Sequence, residues 1–214
     1  MVVGLCLFFL GEKGWAQSRL LLKTGNFELP SQTIPGVDKQ EIYQGIYTRI
    51  VQFQSIPAQR DRETLESMGI NFLAYIPQNA FLVQVPENFL STNWKNFNVL
   101  AVTAVLPEFK VDPRITSSNI PDYAWAGNDL RVLIQWMNGI SKSDQLQIIQ
   151  QFGGRATDYV EGNSEYLEAV LSLEAAQQIA NYPHTLFIEP GSDPGEPEDF
   201  RGLSQHRSNA LHHP

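Results

Sequence analysis

Ile50-Val51-Gln52-Phe53 and Leu133-Ile134-Gln135-Trp136 begin two stretches of this chain that follow one pattern. Each is an apolar run that ends in Gln and an aromatic residue. Behind each comes a polar stretch with helical character that stops at glycine, at Gly69 in the first and at Gly153-Gly154 in the second. A Tyr-centred strand and an Asn turn follow, Tyr75 to Asn79 and Tyr159 to Asn163. A second alternating strand, a polar or Ala-rich helix and a last strand close the copies at Pro107 and Pro190. The offset between matched positions stays at 83 to 85 residues. A period of this length implies two copies of one small domain, and it argues against a single enzyme site spread over the whole chain.

Physical signals within each copy support that reading. In the first, residues 46–53 are β-branched and aromatic, as a strand requires. Residues 59–68 carry Leu65 and Met68 on one helical face, with Pro57 near the start and Gly69 as the stop. Residues 71–78 and 81–85 alternate around Asn79-Ala80. Residues 89–97 predict a weak helix because Ser91-Thr92-Asn93 compete for backbone hydrogen bonds. Residues 99–106 form a continuous apolar strand, as expected for a buried position. In the second copy, residues 131–136 predict a strand and 141–152 an amphipathic helix with Leu146, Ile149 and Phe152 three apart; Ser141 or Ser143 is its N-cap. Strands at 156–160 and 166–171 flank Gly162-Asn163. A helix at 173–181 and a strand at 186–188 complete it. The order βαββαβ, twice, predicts an α+β chain of two tandem ferredoxin-like domains, each an antiparallel sheet with helices on one face. A domain of about 60 residues buries a modest core, so its open sheet face and edge strands are expected to be available to a partner.

Composition bounds the function. The chain has 214 residues, 43% hydrophobic and 18% charged, enough for a folded core. Its net charge of −8 disfavours binding to a phosphate backbone. The sheets also lack the basic and aromatic signature of RNA-binding versions of this fold, so no nucleic-acid partner is expected. Residues 1–10 are almost wholly apolar but too short to span a bilayer. They predict the apolar part of a secretory signal ending near Trp15-Ala16-Gln17, hence a secreted or extracytoplasmic protein with no stable membrane span. No basic segment precedes the run, which a start codon called too late would explain; the other reading is a buried N-terminal strand. Cys6 is the sole cysteine and falls within that segment. Without it there is no disulfide, thiol nucleophile or cysteine zinc site. The expected organisation is a signal at 1–17, a linker at 18–45, repeats at 46–107 and 130–190 joined by a linker at 108–129, and an extended tail at 191–214.

Candidate chemistry is sparse. The histidines are His184, His206, His212 and His213. His184 is expected in a turn, and adjacent His212 and His213 would point to opposite faces of a strand. Ser208, His206 and Asp199 have no nucleophile elbow or oxyanion hole around them. Gly153-Gly154 follows a helix and caps it; a phosphate loop would precede one. We expect no catalytic residues, cofactor or metal in this chain.

Several segments resemble the N-terminal pro-region of subtilisin-like serine peptidases, especially large secreted members from Bacteroidetes-type bacteria. They are Ile50-Val51-Gln52-Phe53-Gln54, Leu65-Glu66-Ser67-Met68-Gly69-Ile70 and residues 75–83 in the first copy, and Leu186-Phe187-Ile188-Glu189-Pro190 closing the second. Arg201-Gly202-Leu203 to His206-Arg207-Ser208-Asn209 is similar to the link into the catalytic domain. The resemblance spans Tyr47 to Pro214. The family's Asp-Ser/Thr-Gly, His-Gly-Thr-His and Gly-Thr-Ser motifs do not occur, and the catalytic domain would be expected to begin where the chain ends. The resemblance therefore implies a non-enzymatic pro-part, from a truncated gene or a separate chain. Its partner would be a cognate subtilisin-like peptidase domain, bound through the sheet. Glu189 would cap helix ends on that domain, and residues 191–209 would run through its cleft like a product. Glu189, Pro190, Arg201, Leu203 and His206 are the implied contact residues. The acidic, Pro-rich stretch at 191–200 is equally consistent with a plain linker. Two other readings are a stand-alone inhibitor or interaction module, and an incomplete peptidase whose chemistry lies downstream.

Overall fold

The computed structural model describes residues 18–29, 34–117, 119–159 and 165–192. The expected signal at 1–17, the turn at Gly162-Asn163, and Asp199, Arg201, Leu203, His206, Ser208, His212 and His213 lie outside the described residues. The fold mixes helices with antiparallel sheets. A hairpin of β1 (Ser18–Leu22) and β2 (Gly25–Leu29) comes first. The first repeat is β3 (Ile46–Phe53), α1 (Gln59–Ser67), β4 (Asn71–Ile76), β5 (Ala80–Pro86), a 3-10 helix at Ser91–Phe97 and β6 (Val99–Thr103). Two short helices, α2 (Pro107–Lys110) and α3 (Pro113–Thr116), and β7 (Trp125–Ala126) connect the repeats. The second repeat is β8 (Asp129–Trp136), α4 (Lys142–Gln151), β9 (Arg155–Tyr159), β10 (Tyr166–Leu171), α5 (Leu173–Gln178) and β11 (Thr185–Pro190).

Counting strands within each repeat, both sheets have the order fourth, first, third, second, and every pairing is antiparallel. Local signals explain the boundaries. Gly69 and Gly153 end α1 and α4 at φ of +91° and +73°, where a side chain would be strained. The Ser141 hydroxyl accepts from Asp144 N at 3.2 Å and caps α4. The stretch expected as a weak helix is wholly 3-10, ending at Asn98 with φ of +51°. Its Ser-Thr-Asn start favours that tighter turn, and Trp94 and Phe97 still reach the core.

Alternation on β3 divides the interior. Tyr47, Val51 and Phe53 face one way and pack with Phe81, Val83, Leu65, Trp94 and Phe97. Thr48, Ile50 and Gln52 face the other way. This is the face expected to be open, and it is covered: Thr48, Ile50, Gln52, Leu82 and Gln84 are all buried. The hairpin is the cover. Ser18 Oγ donates to Gln52 Oε1, and Gln52 Nε2 donates to Arg19 O at 3.0 Å. Leu20 and Leu22 are fully buried in a cluster that joins Ile50, Ile76 and Leu82 to Trp136, Ile149, Ile179 and Ile188 of the second repeat. One apolar core thus runs across both repeats.

The segments expected as linkers are therefore partly structural. Residues 18–29 supply the hairpin. In the stretch 108–129, Phe109, Ile115 and Ala124 are buried, and Phe27 meets Phe109 edge-on at 4.5 Å. No helix among the described residues is long and apolar enough to cross a membrane.

Candidate functional site

Two of the contact residues that the resemblance implies, Glu189 and Pro190, stand at the end of β11. As the fourth strand, β11 lies at a sheet edge beside β8. Its free edge is taken in part by Val111, which pairs with Ile188 in parallel, while Asp112 N donates to Ile188 O at 2.9 Å. Pro190 is buried. Gly191 N donates to Arg131 O at 2.8 Å, and a Cβ at Gly191 would lie 2.8 Å from Arg131 Cγ. Gly191 is thus held close against β8.

Around this point sits a charge cluster built from three parts of the chain. Lys23, in the hairpin turn, reaches Glu189 Oε2 at 2.9 Å and Asp112 Oδ2 at 3.1 Å. Its ammonium also lies 5.1 Å from the centroid of the Phe187 ring. Arg114 Nε and Nη2 donate to the two oxygens of Asp112 at 2.9 and 3.1 Å, a bidentate pair. Burial by itself would raise the pKa of Asp112, but hydrogen bonds from Arg114 and Lys23 outweigh it and hold the carboxyl below its usual range. Glu189 is therefore turned inward toward Lys23. A carboxylate held in this way meets an outside helix end only after Lys23 lets go.

The stabilising part of this cluster is testable. A depressed carboxyl contributes fully above its unfolded pKa, near 4, and the contribution is lost as pH falls through the folded value. Asp112→Asn is expected to lower stability at pH 7 by about 1–3 kcal/mol. The deficit against the parent, read by urea denaturation, narrows below pH 4.

A second polar group lies deeper, between the repeats. Lys110, at the end of α2, is 2% exposed, and its Nζ donates to Tyr182 O at 3.0 Å. Burial pushes its pKa down to about 8. Arg49, also 2% exposed, donates to Thr48 O at 2.8 Å and to Gly36 O at 3.2 Å, and pairs with Glu41. His184 is buried between the rings of Tyr43 and Tyr182, at 5.5 and 5.2 Å. Burial and the nearby Lys110 charge lower its pKa. Tyr43 OH donates to Asp144 Oδ2 at 2.6 Å, linking the segment before β3 to α4. Neither Lys23 nor Lys110 stands out in the sequence. Asp112 has a signal in Asp112-Pro113, the start of a short helix, where its side chain accepts from Arg114 N.

Among the described residues no group of three His, Cys, Asp or Glu side chains is placed to hold a metal ion. Comparison with known proteins adds one match. A family described as a domain of unknown function (DUF8729) matches residues 21–108, from within the hairpin to the start of α2. That span joins the later part of the hairpin to the first repeat, in keeping with the packing of Leu22 against its sheet. No curated protein and no solved structure matches the chain.

Proposed function

We propose that this chain is the non-catalytic pro-region of a secreted subtilisin-like serine peptidase, built of two tandem ferredoxin-like domains. It templates folding of the peptidase domain and then blocks its cleft. The observation that carries this reading is the anchored exit at Pro190-Gly191. A segment meant to lie in a cleft must leave its domain from a defined point and in a defined direction. The Gly191–Arg131 and Lys23–Glu189 contacts fix the backbone and side chain at the end of β11. Backbone pairing of that segment with the cleft supplies affinity, as in strand addition.

Because the sheet face of the first repeat is covered, docking falls to β11, its exit and the tail. This differs from docking through an open sheet. A second reading, a stand-alone inhibitor or interaction module, is favoured by the shared core, which makes both repeats one body without a further domain.

Refolding tests the proposal. Denatured subtilisin-type peptidase domain is diluted into buffer with and without the full chain, and near-ultraviolet circular dichroism follows recovery of native packing. We expect faster recovery at equimolar chain. An unchanged rate and no complex on gel filtration would sink the proposal.

A further inference from the structure

We propose that the cavity between the repeats, beside Lys110, is a binding site for a single carboxylate group. The cavity is about 150 Å³ and is lined by Glu41, Thr48, Arg49, Lys110 and Asn181, among others. This is space for several waters or a small organic acid.

The charges and donors around it do not balance. Arg49 is matched by Glu41 and by two backbone carbonyls. Lys110 has one hydrogen bond, to the neutral Tyr182 O, and among the described residues no carboxylate lies within ion-pair distance. An ammonium carries three donors, so two are unused. Thr48 Oγ1 is buried and has no partner. A buried cation and a buried hydroxyl left this way are both costly.

One bound carboxylate accepts from Lys110 and from Thr48, and it brings the site's formal charge to zero. Glu41 lines the same cavity, so a doubly charged phosphate would meet a repelling neighbour. That selects a monoanion. The other ionisable groups near Lys110 are Arg49, His184 and Tyr182. Burial has already weakened the proton's hold on Lys110, and a bound anion restores it. Either a free organic acid or a carboxylate on a peptide meets these requirements.

The test uses the full chain labelled with 13C at lysine Cε. Its Lys110 resonance is titrated with pH at constant ionic strength in chloride, in acetate, and with an N-acetylated, C-amidated tetrapeptide carrying one glutamate. Thermal melts are run in parallel. We expect the Lys110 midpoint and the Tm to rise in acetate, with the peptide, or with both, relative to chloride; which of them acts identifies the source. Lys110→Met abolishes the response. Thr48→Val, which keeps the lysine and the side-chain shape, weakens binding about tenfold or more. Equal behaviour in chloride, acetate and peptide, or a Lys110→Met response equal to the parent's, overturns the proposal.

Discussion

Leu22→Ala is expected to lower stability by about 2–5 kcal/mol, as for other fully buried leucines. Leu22 is 0% exposed and belongs to the cluster that spans both repeats, although it lies in a stretch that reads as a linker. Truncation removes apolar area and leaves a cavity, because the sheet beneath is pinned by the bonds from Gln52 to Ser18 and Arg19. In a true linker the same change would fall within about 0.5 kcal/mol. Urea denaturation separates the two. The hairpin account requires a lower midpoint at unchanged slope, and one transition for the whole chain. A midpoint equal to the parent's would show that residues 18–29 do not belong to the core.

Lys110→Met is expected to act in the opposite direction and raise stability at pH 7 by about 1–3 kcal/mol. Methionine keeps most of the apolar stem and adapts to an irregular site. What it removes is a buried charge with a single hydrogen bond. The sign follows from the pKa, which is 10.5 unfolded and about 8 folded. Below pH 8 both states carry the charge and the burial penalty is complete. Between pH 8 and 10.5 the unfolded chain binds more protons, so the parent gains stability as pH rises, by an amount on the order of 3 kcal/mol if the site does not relax. The raised pKa values of Tyr47 and Tyr182 oppose this only above pH 10. Denaturation at pH 7 and 9.5 should show the parent gaining on the variant. A variant less stable than the parent at pH 7 would contradict the account.

The individual strands and helices were legible because their signals are local. Alternation on β3 and β8, Gly69, Gly153 and the Ser141 cap each act within one element, and the observed strands lie within a few residues of the expected ones. The hairpin was not legible. Leu20-Leu21-Leu22 hides the alternation that buries Ser18, Leu20 and Leu22 while leaving Arg19 exposed. The connector failed for another reason: α2 and α3 are one-turn helices opened by Pro107 and Pro113, too short for helical periodicity to show. Of the charge cluster around β11, the sequence singled out only Glu189. The inward turn of Glu189 depends on Lys23, 166 positions earlier. Burial of Lys110 depends on Tyr182, 72 positions later. In sequence Lys110 sits beside Glu108 and reads as a solvated charge, as most lysines are.

Inhibition of a purified subtilisin-type peptidase by residues 18–214, compared with a chain ending at Pro190, tests the central claim most directly. The account predicts stoichiometric inhibition by the longer chain and a loss of about tenfold or more in affinity without the tail, since each 1.4 kcal/mol is a factor of ten. Absence of both inhibition and binding by the longer chain, with its fold intact by circular dichroism, would contradict it.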